Sequence, residues 1–148
     1  MTRARRQLDD LKRLGQVAGL LAHRAEGVAR GDAWRLTEAR AAAEAADERL
    51  LHAEAALAER TATGRSIDPA LLLFDIARIN HGRLHVQAAG LAVQDAAVTA
   101  GESQATWLAG QRREELLSDR AHGAVRSYRQ EREDRMQDAL PAGSRQAR

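Results

Sequence analysis

The sequence predicts an all-α fold, a long antiparallel two-helix coiled-coil hairpin, and three observations predict it. Alanine and leucine recur at alternating three- and four-residue steps, the signature of a helix with one packed face. Only one break interrupts this pattern before the C-terminal region, and the only prolines are Pro69 and Pro141. Aromatic residues make up just 3% of the chain, namely Trp34, Phe74, Trp107 and Tyr128. So few large side chains cannot fill the core of a compact globule. The charged fraction of 30% and the abundance of Ala, Arg, Glu and Leu suit long solvated helices instead.

Helix one is expected over about residues 3–63. Its apolar steps are Leu11, Leu14, Ala18, Leu21, Ala25 and Val28, then Leu36, Ala39, Ala43, Ala46, Leu50, Ala53 and Leu57. The two runs are out of phase. Between Val28 and Ala39 the spacing is eleven residues, which predicts a local unwinding of the supercoil near Gly31 and Asp32.

The turn is expected at residues 64–68. Gly64 is a natural helix stop, because glycine enters the left-handed region without steric cost. Asp68-Pro69 is a strong helix start. The Asp carboxylate can accept from free backbone N–H groups, and proline at the first helical position needs no N–H partner.

Helix two is expected over about 69–140, closed by Pro141-Ala142-Gly143-Ser144 and a short basic tail at 141–148. Its stripe reads Leu72, Ile76 and Ile79, then Leu84, Leu91, Val98 and Ala105 at seven-residue spacing, then Leu116, Ala121, Ala124 and Tyr128. At 1.5 Å per residue the helices would be roughly 90 and 105 Å long, and one short connection makes them antiparallel neighbours. Within them lie Gly15, Gly19, Gly27, Gly31, Gly82, Gly90, Gly101, Gly110 and Gly123. Each lowers helix propensity by about 1 kcal/mol relative to alanine. Two readings stand: close helix approach at small residues, or a bendable rod that partners put in order.

Charge is unevenly placed. Residues 1–13 carry five basic and two acidic groups, and residues 112–148 carry nine and seven. The body between them is net acidic, so a hairpin brings two basic ends together. There are no cysteines, hence no disulfide framework and no thiolate metal site. The charged N-terminus predicts no signal peptide. The stretch from Leu84 to Gly110 lacks Lys and Arg, but Gln87, Gln94, Asp95, Glu102, Ser103 and Gln104 make it too polar to span a bilayer.

Catalytic and metal chemistry finds little footing. His81 and His85 share a helix face, but zinc needs further ligands and no Glu follows His81. Glu44, Asp47, Glu48 and Glu54 lie in a charged helix, and paired carboxylates do acid–base work only when pocketed. Gly64-Arg65-Ser66 is too short for a phosphate loop. Ser66, Ser118 and His122 form no nucleophile–base set. No cofactor is expected, and no enzymatic activity. The arginine row Arg112, Arg113, Arg120, Arg126, Arg129, Arg132 and Arg135 raises the question of nucleic acid. Glu114, Glu115, Asp119, Glu131, Glu133 and Asp134 are interleaved with it and cancel much of the positive potential that phosphates require. A salt-bridged or protein-docking face is the preferred reading. Leu71, Leu72, Leu73, Phe74 and Ile76 wrap most of the helix circumference, so some must be exposed, and exposed apolar surface marks contact sites.

The layout resembles the FliJ/YscO-like family, the small coiled-coil stalks of type III export ATPases. Size, basic start, mid-chain turn and basic end all agree. Within helix two the resemblance is carried by Thr106-Trp107, by Gln111-Arg112-Arg113-Glu114-Glu115-Leu116, by Asp119-Arg120, and by the segment from Tyr128 to Asp138. The resemblance implies a non-catalytic stalk or escort whose joined termini enter a hexameric export ATPase, with the flagellar system preferred to the injectisome. Arg112, Arg113, Arg120, Arg126 and Arg129 would then face the ring. It further implies contact with the export gate protein and with substrate chaperones. The family's gate contact uses a Phe and a His eleven residues apart on one face. Phe74 and His85 match that pair, while Arg78 and His81 stand where the family has apolar residues. Phe74, His81 and His85 are therefore the expected gate- or chaperone-facing residues. The chain is expected in the cytoplasm or, through the export apparatus, at the inner face of the cell membrane. A generic or self-dimerising coiled-coil scaffold is the alternative reading, with a nucleic-acid-binding hairpin behind it.

Overall fold

A computed structural model of the chain describes residues 3–62, 64 and 66–139. Two helices account for nearly all of them: α1, Arg3–Ala62, and α2, Pro69–Asp138. They pack against each other as an all-α helical hairpin, with no strand among the described residues. Both bounds fall within a residue or two of expectation, and the expected basic tail at 141–148 lies outside the described residues.

The connection follows the predicted chemistry. Gly64 has φ of 61°, the left-handed conformation that lets α1 stop. Asp68 Oδ1 accepts from the Ala70 N–H at 2.9 Å, and the Asp68 carbonyl accepts the Leu72 N–H at 3.1 Å. The carboxylate thus satisfies one free donor of the new helix, and Pro69 occupies the first turn, where no N–H partner is available.

The chain divides into two compact units. One combines Met1–Glu26 with Thr106–Arg148, and the other is Gly27–Ala105. In the first, the inward positions of α1 are Leu8, Leu11, Gly15, Ala18, Ala22 and Ala25. Those of α2 are Trp107, Gly110, Leu117, Ala121, Ala124 and Tyr128. At Gly110 an added Cβ would lie 3.5 Å from Ala22 Cα and 3.6 Å from its Cβ, so the backbones approach closely.

In the second unit, α1 turns inward Ala29, Asp32, Leu36, Ala39, Ala43, Ala46, Leu50, Ala53 and Leu57. The α2 seam there is Leu72, Asp75, Ile79, Gly82, Val86, Ala89, Val93, Ala96, Ala100 and Ser103. Gly82 packs on Leu50, whose Cδ1 is 3.2 Å from an ideal Cβ.

This seam corrects the expected one in both helices. The second half of α1, Leu36 to Leu57, packs as predicted, but Leu14, Leu21 and Val28 are exposed. Gly15, Ala22, Ala29 and Asp32 take their places, and no eleven-residue step occurs: the three–four alternation runs from Leu8 to Leu57. In α2, Leu84, Leu91 and Val98 are 65%, 57% and 61% exposed, and Ile76, Ala105 and Leu116 also face outward.

The physical reason lies in what accompanies each leucine. Extending Leu14, Leu21 and Val28 by sevens drives Arg35 and Arg49 into the seam. A seam built on Leu84, Leu91 and Val98 requires a second residue per turn pair, and the candidates are His81, Asp95 and Glu102 or Asn80, Gln87 and Gln94. The observed seam positions Val86, Ala89, Val93, Ala96, Ala100 and Ser103 carry no charge. Over this stretch an uncharged seam outweighs one with a single large side chain per heptad.

The nine helical glycines divide accordingly. Gly82 and Gly110 sit at close approaches, and Gly19 lies against the Glu114 carboxylate, 3.1 Å from an ideal Cβ. The other six have nothing within 4 Å. The seam is thin, and among the described residues no side chain is fully buried.

Candidate functional site

Two grooves carry the side chains of interest, one in each unit. Ala18 and Leu21 of α1 and Gly110, Leu116 and Leu117 of α2 form an open apolar trough of about 290 Å³. Arg113 and Arg120, seven residues apart, stand along it. The trough exists because Gly110 and Ala18 supply almost no side chain, so the leucines beside them are left with one uncovered side.

Of the five arginines expected to meet a partner, all are exposed. Arg113 and Arg120 come together on this trough, while Arg112, Arg126 and Arg129 lie outside its lining. None of the five has a carboxylate within ion-pair distance among the described residues. The ion pair found along this part of α2 joins Arg135 to Glu131, at 3.1 Å. The alternative of a salt-bridged face therefore does not describe these five side chains, and their guanidinium donors are available.

The second groove lies in the other unit. Ala46, Arg49 and Ala53 of α1 and Arg78, His81, Gly82 and His85 of α2 enclose about 300 Å³. His81 Nε2 and His85 Nε2 are 2.9 Å apart, with ring centroids 4.4 Å apart and the planes near perpendicular. At that distance a ring N–H of one histidine can donate to the ring nitrogen of the other, the roles depending on the tautomer. Both rings are exposed. Among the described residues no group of three or more His, Cys, Asp or Glu comes together in a metal-ligating arrangement.

Phe74 is exposed, as expected, together with Leu71, Leu73 and Ile76. It is not part of the His81–His85 groove lining. Phe74, Arg78, His81 and His85 follow one another at four-, three- and four-residue steps along α2, so they lie on one side of the helix, with Phe74 toward the turn and outside the groove.

Three features escaped the sequence reading. Asp75 is 3% exposed within the seam, its Oδ2 accepting from Arg60 Nη1 at 2.8 Å. Asp32 is also buried and accepts from Arg35 at 3.1 Å. Arg49 joins the histidine groove from the other helix. The first two had a signal, since each acid falls on the three–four seam spacing. Arg49 had none without the alignment of the two helices.

The fold and its grooves define a class, an all-α helical hairpin with arginine-lined, apolar-floored surface grooves. No helix among the described residues is long and apolar enough to cross a membrane. No family model, curated protein or solved structure matches the chain.

Proposed function

We propose that this chain is a non-catalytic, partner-binding coiled coil, and specifically a stalk or escort of a type III export ATPase. The observation that carries the reading is the pair Arg113 and Arg120, exposed and without an ion-pair partner among the described residues, beside an apolar trough formed where Ala18 and Leu21 of α1 meet Gly110, Leu116 and Leu117 of α2. Guanidinium groups in this setting suit carboxylates on the inner wall of a ring, because Arg pairs bidentately with them. The apolar floor gives such a contact its hydrophobic part. One hairpin in a sixfold ring docks asymmetrically and so biases the ring's cycle. Export gate protein and substrate chaperones are the further partners, at Phe74, His81 and His85.

The test is hydrolysis by the purified export ATPase of the same organism, with and without this chain. Stimulation and co-elution are expected, and both should weaken for Arg113→Glu/Arg120→Glu. Unchanged hydrolysis together with separate elution would overturn the reading.

A second reading, a self-dimerising scaffold, is favoured by the outward stripe Leu84, Leu91 and Val98. A stable dimer of the isolated chain in light scattering, lost in Leu91→Glu, is its signature.

A further inference from the structure

The two flanks of the seam in the unit Gly27–Ala105 differ in charge. On one flank Glu54 of α1 faces Arg83 of α2, and Arg83 Nη2 donates to Glu54 Oε1 at 3.2 Å. Such flanking pairs are the usual electrostatic complement of a coiled-coil seam. The other flank is formed by Val28, Arg35, Ala42, Arg49 and Ala56 of α1 with Arg78, His85, Ala92 and Thr99 of α2. It contains no carboxylate. Arg35 is held by Asp32 within its own helix. Arg49 and Arg78 have no ion-pair partner among the described residues, and they line one groove with His81 and His85.

Like charges facing each other across a seam are unfavourable, and acids at these flanking positions would remove the conflict. A cleft lined by one sign of charge also concentrates its field on an incoming counter-charge. The floor of this cleft, Ala46, Ala53 and Gly82, is small and apolar, so there is room for a side chain between the basic walls.

We infer that the Arg49–Arg78–His81–His85 groove binds an acidic segment of a partner protein, its carboxylates on Arg49 and Arg78 and an apolar side chain on the Ala46–Ala53–Gly82 floor. Bidentate arginine–carboxylate pairing supplies the geometry. Charge complementarity of this kind selects partners and speeds encounter. The inference names the chemistry of the partner at the His81–His85 face and rests on the partner-binding reading given above. It involves this chain alone, so its failure is distinguishable from a failure of ATPase stimulation.

A phage-displayed library of random helical peptides, panned on the full chain, tests it. The expected binders are enriched in Asp and Glu flanking a Leu or Met. Their affinity should fall about tenfold or more on Arg49→Gln/Arg78→Gln, the loss of two charge-assisted contacts, and stay unchanged on Arg40→Gln. Circular dichroism of each variant verifies that the helices persist. Binders without acid enrichment, or binders indifferent to Arg49→Gln/Arg78→Gln, would overturn the inference. So would a single-stranded oligonucleotide that binds at the same groove more tightly than any selected peptide.

Discussion

Arg60 Nη1 lies 2.8 Å from Asp75 Oδ2 across the hairpin, and Asp75 is nearly inaccessible to solvent. An aspartate at a seam position is costly to bury unless it is paired. The arginine reaches it from the last turn of α1 and keeps its outer half in water. The pair therefore joins the end of one helix to the beginning of the next, beside the turn.

Removing one partner should hurt more than removing both. Arg60→Ala leaves the carboxylate buried and should lower unfolding stability by about 1–3 kcal/mol, the cost of an unsatisfied buried group reduced by the solvent near Arg60. Arg60→Ala/Asp75→Leu should recover most of that loss, since an apolar residue suits the seam. Urea unfolding followed by circular dichroism measures both; equal losses for the single and double variants would contradict the role given to the pair.

The revised register makes a sharp distinction in α2. Leu91→Gln alters an exposed side chain and should change stability by no more than about 0.5 kcal/mol. Val93→Gln places an amide in the seam and should cost about 1–3 kcal/mol. Had the stripe Leu84, Leu91 and Val98 formed the interface, the order of the two effects would be reversed.

Glycine substitutions should divide by position. Gly90→Ala and Gly101→Ala meet nothing within 4 Å and should each stabilise the chain by up to about 1 kcal/mol. Gly82→Ala pushes on Leu50 and should gain less, or lose. Gly64→Ala forces a Cβ into a left-handed backbone at φ 61° and should destabilise by about 1 kcal/mol. Thermal melting of the four single variants checks the ranking.

The sequence was informative where its signals were local. Gly64 and Asp68-Pro69 mark the turn because each acts through its own backbone, and the structure places both roles there. The Leu36–Leu57 stripe was legible because leucine itself occupies the seam. Elsewhere leucine misled. The first half of α1 packs through Gly15, Ala22 and Ala29, and α2 packs through Val86, Ala89 and Val93. A reading that follows the largest apolar residues assigns such a seam to the wrong face.

Exposure of Phe74 and of the five arginines followed from composition around them. The grooves did not. Arg49 and Arg78 stand 29 positions apart, and only the alignment set by contacts such as Gly82 on Leu50 brings them to one cleft. The buried acids Asp32 and Asp75 were passed over because charge argues against a seam position until a partner is known.

The fold-back and its register can be measured directly, because the chain has no cysteine of its own. Ala22 Cβ lies 3.6 Å from an ideal Cβ at Gly110, within the range a disulfide spans. Ala22→Cys/Gly110→Cys, oxidised at low concentration, should give an intramolecular disulfide and a faster-migrating monomer on a non-reducing gel. Ala22→Cys/Met136→Cys, with its second site about 39 Å further along α2 than Gly110, should give none. Intermolecular dimers alone from the first pair, or equal crosslinking of both pairs, would contradict the antiparallel hairpin on which every proposed contact depends.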